Sequence, residues 1–193
     1  MKQNVLNVST MKKKMDDFIS DVAENWLPIK AALSRFATLF YKSKMRDLNT
    51  FVTYKDLAIF MSKRLQYVAD PLGGAVDYYT HPKYIQYLAE TNYKGNVVSC
   101  DCDDYAVFGY AVLHLMGYDP KIYTLLDGGI KWSHVICVFE DENNDFYSLD
   151  TNGLNLLGKN IENLEQAVLK FFGEVYYPAR YIKAIETPYP FYD

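Results

Sequence analysis

The spacing of apolar residues changes character at Gly117, and that change limits the folds open to this chain. Before it, apolar residues recur at helical spacing. After it, they form short continuous runs bounded by glycine and polar turns, which is the pattern of strands. Met11, Met15, Phe18, Ile19 and Val22 form one helical set, with Ser9 or Thr10 as cap. Pro28 can open a second helix carrying Ile29, Ala32, Leu33, Phe36 and Phe40 on one face. Thr53-Tyr54-Lys55-Asp56 has the form of a capping box ahead of Leu57, Phe60, Met61, Leu65 and Val68. Asp70-Pro71-Leu72-Gly73-Gly74 is a turn signal, and Pro82 starts a short helix running to about Glu90. The next helix begins near Cys102 and stops at Gly117.

Beyond that point, Lys121 to Leu126 and Trp132 to Phe139 read as strands joined by an Asp127-Gly128-Gly129 turn. The polar run Asp141 to Asp145 then turns the chain into a third strand, Phe146 to Leu149. Ile161 to Phe172 reads as a helix and Ala179 to Ile185 as a late strand. The expected class is α+β, a helical first half packed on an antiparallel sheet with one inserted helix. At 193 residues the chain is expected to form one domain. Its expected parts are a helical extension over 1–50, a core over 53–186 and an extended tail over 187–193.

Composition excludes several roles. Half the residues are hydrophobic and 16% are aromatic, which argues against disorder. The net charge is -4 and no basic run exceeds Lys12-Lys13-Lys14, which argues against nucleic acid as a partner. No apolar run approaches bilayer length, and the start at Met1-Lys2-Gln3-Asn4 lacks an apolar signal core, so no membrane association is expected. Three cysteines are an odd number and too few for a disulfide framework. Reduced thiols in a cytoplasm-like compartment are the expectation.

Three residues carry candidate chemistry. Cys102 opens a strongly apolar helix with Asp101 as N-cap and Asp104 in the capping-box position. Unpaired N–H groups and the positive dipole end there favour a thiolate and can contribute to an oxyanion hole. Asp101, Asp103 and Asp104 oppose this by adding negative charge. His134 stands near the start of an apolar strand, and Asp150 ends the next one before Thr151-Asn152-Gly153. In an antiparallel pair these two can lie side by side, with the aspartate holding one imidazole nitrogen and the other facing Cys102. Taken singly, His134 reads as a core histidine and Asp150 as a turn residue.

The neighbouring groups have other readings. Cys100 is a rival nucleophile but lies before the helix and lacks the cap. A Cys100/Cys102 metal pair is tighter than usual zinc spacing. Cys137 reads as a small buried hydrophobe. Asp101 and Asp103 flank the nucleophile and are candidate calcium ligands with backbone oxygens, against a plainer role in helix capping. His81 and His114 have no comparable partners, and His114 is too far along the helix to serve Cys102.

Cys102-Asp103-Asp104-Tyr105-Ala106, His134-Val135-Ile136-Cys137 and Leu149-Asp150-Thr151 together resemble the motifs of the transglutaminase-like superfamily. The Asp-Cys-Asp-Asp-Tyr-Ala form is most similar to the bacterial and phage transglutaminase-like cysteine proteinases. The resemblance covers about residues 53 to 151. Two positions depart from it: Cys100 replaces a glycine before the nucleophile, and Ile136 replaces a tryptophan after the histidine. It implies a papain-like core and a Cys102–His134–Asp150 triad that transfers acyl groups of a protein or peptide substrate. No cofactor is required, though the flanking acids can bind calcium in such proteins. Water as acceptor would make a peptidase or amidase, and a lysine amine would make a crosslinking transglutaminase. The fold is also reused in non-enzymatic structural or binding modules, phage particles included. A cytoplasmic or virion-associated location is expected. Trp132, Asn152 and Gln86 are the expected substrate contacts, and Gln86 and Tyr67 are candidates for completing the oxyanion hole.

Overall fold

A computed structural model describes residues 47–68, 80–91, 97–126, 133–175 and 181–185. The expected helices over 11–22 and 28–40, the turns at 70–74 and 127–129, Trp132 and the 187–193 tail lie outside these residues. The described chain runs α1 (Tyr54–Arg64), β1 (Leu65–Tyr67), α2 (Pro82–Thr91), β2 (Val98–Cys100), α3 (Cys102–Leu115) and β3 (Lys121–Leu126). It continues through β4 (Ser133–Glu140), β5 (Asp145–Asp150), β6 (Gly153–Lys159), α4 (Leu164–Val175) and β7 (Tyr181–Ile185).

The mixed α+β class holds. Five strands form one antiparallel sheet in the order β6-β5-β4-β3-β7. The strand period of two sends alternate residues of β4 to opposite faces. Val135, Cys137 and Phe139 pack with α1 and α3, while Ile136 and Val138 pack with Val168 and Phe172 of α4. Helices therefore cover both faces of the sheet. Among the described residues no helix is long and apolar enough to cross a membrane.

Helix α3 is the centre of the larger core. Ala106, Val107, Phe108, Ala111, Val112 and Leu113 are all fully buried, as expected of a helix apolar nearly all round. At Gly109 an added Cβ would stand 3.0 Å from Leu149 Cδ2 of β5, so the glycine allows close helix–sheet approach. The helix ends where Gly117, at φ 91°, donates to His114 O and Tyr118 donates to Leu113 O.

Several elements differ from the sequence expectation. The Thr53 capping box forms, with Thr53 and Asp56 bonding reciprocally. However, α1 ends at Arg64, because Leu65 to Tyr67 leave to pair in parallel with Val98 to Cys100. Backbone pairing with a distant segment overrides the local helical spacing of Leu65 and Val68. The chain also adds β6 between β5 and α4, paired along Asp145↔Lys159 to Asp150↔Gly153. Helix α4 consequently begins at Leu164 rather than at Ile161, with Asn163 Oδ1 accepting the Gln166 N–H at 3.0 Å.

Candidate active site

Helix α3, which carries Cys102, starts as its sequence suggests. Asp101 has extended backbone, and its Oδ1 accepts the Asp104 N–H at 3.1 Å. The other half of a capping box is replaced. The Asp104 carboxylate turns to Thr80, accepting its backbone N–H at 2.7 Å and its hydroxyl at 3.3 Å. This ties the lead-in of α2 to the first turn of α3. Burial, then the Asp101 charge, push the Asp104 carboxyl up to about 7, against the pull of the Thr80 donors.

Cys102 is half-buried at the first position of α3. Its sulfur takes a hydrogen bond from the backbone N–H of Val135, the residue after His134. That bond and the cysteine's own N–H favour the thiolate, but burial and the charges of Asp103 and Asp101 outweigh them. The Cys102 thiol is pushed up to about 12. In the opposition foreseen between the helix end and the flanking acids, the acids and burial win. Cys100 is buried at the end of β2, where desolvation first and then Asp104 push its thiol up further. Cys137 is buried in the sheet core.

His134 and Asp150 meet across the β4–β5 hairpin. The His134 Nε2–H donates to Asp150 Oδ2 at 2.9 Å, with both side chains buried. Asp150 Oδ1 accepts the Asn152 N–H at 2.7 Å, the aspartate turn that folds the chain into β6 at Gly153, φ 98°. The carboxylate is thus held at both oxygens. A carboxylate only accepts, so neutral His134 carries its proton on Nε2 and its lone pair on Nδ1. The ring lies against Phe172 of α4, with centroids 5.9 Å apart. No sequence signal placed Phe172 or the Val135 N–H here, because both contacts join distant segments.

The remaining candidate residues take other structural roles. Gln86 is buried on α2, where its Nε2 donates to Asp47 O at 3.2 Å and Glu90 Oε1 at 3.0 Å, and its Oε1 accepts the Asn49 N–H at 2.7 Å. Its bonds to Asp47 and Asn49 tie residues 47–49 to α2, while the bond to Glu90 stays within the helix. Tyr67 is exposed at the end of β1, and Asn152 is exposed in the turn after Asp150. Asp101 is engaged as the cap and Asp103 is buried. Among the described residues no group of three or more acidic, histidine or cysteine side chains is placed to hold a metal ion. A calcium ion held by Asp101 and Asp103 would need further oxygens, from the backbone or water, to reach the about six it takes.

A scan against protein-family models gives no match, and no curated protein matches the chain. The functional reading therefore rests on residue chemistry and geometry.

Proposed function

We propose that this protein is a thiol acyl-transfer enzyme, a cysteine peptidase or amidase built on a compact transglutaminase-like, papain-like core. The observation that carries the reading is the buried 2.9 Å His134–Asp150 bond one residue from the Val135 N–H that holds the Cys102 sulfur. A candidate nucleophile, base and orienter are thus carried by α3, β4 and β5, with the Cys102 sulfur against the residue that follows His134. The substrate is a protein or peptide carbonyl.

A thiol pushed up to about 12 is neutral near pH 7, so its proton leaves as the sulfur attacks. Cys102 Sγ forms a bond to the carbonyl carbon while His134 Nδ1 takes the thiol proton. The imidazolium is stabilised by Asp150 and gives that proton to the departing amine as the C–N bond breaks. Water then attacks the thioester, His134 takes its proton, and the acid leaves as Cys102 regains a hydrogen. A lysine amine in place of water would give a crosslinked product instead. One observation favours a second, non-enzymatic reading as a structural or binding module: the thiol is raised rather than lowered.

The test is acylation by p-nitrophenyl acetate followed by peptide mass mapping, in wild type, Cys102→Ala and His134→Ala. Acylation confined to Cys102 and lost in His134→Ala supports the enzyme. Thioester decay that accelerates with added alkylamine separates transamidation from hydrolysis. Equal, slow labelling of all three cysteines leaves the module reading in place.

A further inference from the structure

The β4–β5 ladder is shorter than either strand. It runs from Cys137↔Leu149 to Glu140↔Phe146. On the other side, β4 stays paired with β3 from Lys121↔Val138 as far as Leu126↔Ser133. The first residues of β4 thus have a partner strand on one side only. β5 ends because the Asp150 turn, closed by the Asn152 N–H, sends the chain into β6. This leaves a notch in the sheet beside His134 and Val135.

N–H directions alternate along a strand in an antiparallel sheet. Val135 shares the phase of Cys137 and Phe139, which meet Leu149 and Tyr147 of β5 farther along. In the notch its N–H meets the Cys102 sulfur instead. An unpaired strand N–H is costly when buried, and Val135 is buried, so the sulfur satisfies it.

We propose that the backbone N–H of Val135, freed by the early end of the β4–β5 ladder, is a catalytic group that holds the Cys102 thiolate at the notch. This deepens the acyl-transfer reading and rests on it for its role in turnover. The thiol form of sulfur is a weak acceptor and the thiolate a strong one, so the N–H bond strengthens as the proton leaves for His134. The group does in the backbone what the flanking acids prevent the surroundings from doing. It also fixes the sulfur beside the base, independently of any side chain at position 135.

The test removes this one N–H. An amide-to-ester replacement before residue 135, keeping the valine side chain, deletes the donor. The same replacement before Phe139 deletes an N–H facing β5 and is the control for general backbone weakening. Val135→Pro is a second, genetically simple variant, tolerated by the ladder because the lost N–H does not belong to it. The readout is the iodoacetamide alkylation rate of Cys102 from pH 7 to 10, with melting temperature alongside. The 135 ester is expected to slow Cys102 alkylation about tenfold or more at a given pH, a charge-assisted bond's worth. The 139 ester should lower the melting temperature and leave the alkylation rate unchanged. An unchanged rate in the 135 ester, or an equal loss in both esters, overturns the proposal. Alkylation needs no substrate. A slowed 135 ester in a protein that hydrolyses nothing would therefore keep the N–H contact to the sulfur and reject its catalytic role together with the enzyme reading.

Discussion

The β4–β5 hairpin holds a buried aspartate at each end, and the two ends are built for different work. At the turn, Asp141 accepts the N–H groups of Asn143 at 2.9 Å and Asp145 at 3.0 Å, and the Tyr54 hydroxyl at 3.2 Å. Burial pushes its carboxyl up, but the Asp145 and Asn143 N–H groups and Tyr54 hold it below the ordinary range. Tyr54, Tyr118, Phe139 and Tyr147 close around it in tilted and edge-on contacts. Every donor there is fixed by the fold. At the open end, Asp150 also has both oxygens engaged, but one partner is an imidazole that can change its protonation state. The surrounding backbone is interrupted there, and the vacated hydrogen-bond position is filled by a thiol. A carboxylate satisfied by backbone donors stabilises a turn, and one satisfied by a histidine can support proton transfer. A surface cavity of about 520 Å³ lies at the turn end, lined in part by Tyr118, Lys121, Glu140, Asp141 and Phe146.

The largest expected effect separates these ends by activity. Asp150→Ala removes the orienter of His134 and should lower turnover of an activated ester by about 10²–10⁴-fold. Asp141→Ala should leave that rate within about twofold, since it touches neither sulfur nor imidazole. Equal losses in the two variants would erase the distinction. The next effect reverses the order. Asp141→Ala orphans two backbone N–H groups and the Tyr54 hydroxyl, costing about 2 kcal/mol and several degrees of melting temperature by calorimetry.

A third effect concerns pH and the Asp104–Thr80 tie beside the open end. The folded state holds the Asp104 proton up to about 7, whereas the unfolded chain releases it near 3.8. Stability from this group is therefore full below 3.8 and is lost as pH rises through about 7. Asp104→Asn keeps an acceptor for Thr80 and has no proton to lose. Its melting temperature should gain on wild type steadily between pH 4 and 7, then stay at a constant offset above 8. His81, pushed down to about 4 by burial and then by Lys83, acts in the opposite direction. It is present in both proteins and cancels in their difference. A flat difference across the window would show that Asp104 does not titrate there.

Much of this arrangement was legible in the residues. The Thr53 box, the Asp101 cap and the Asp141 turn are local, because donor and acceptor lie within four positions and chain geometry brings them together. The adjacency of His134 and Asp150 was legible at one remove, since a short hairpin fixes which residues face each other. Strand β6 was not. Gly153-Leu154-Asn155-Leu156-Leu157-Gly158-Lys159 has no clean alternation, and its position at the sheet edge leaves Leu156 half exposed. Gln86 was misleading as well. An amide with two donors suits an oxyanion hole as well as it suits a tie between segments, and only its neighbours Asp47 and Glu90 show which use the fold makes of it.

By itself the sequence determined the helix that carries Cys102, the strands that carry His134 and Asp150, and the mixed class they build. Apolar periodicity and capping are properties of neighbours along the chain. Only the tertiary structure decided how the thiol is poised. Its environment depends on the depth of burial, on Asp103 and Asp101, and on a Val135 N–H left open by a strand that stops early. Desolvation and hydrogen bonds from distant segments are set by packing, and no spacing within the chain encodes them.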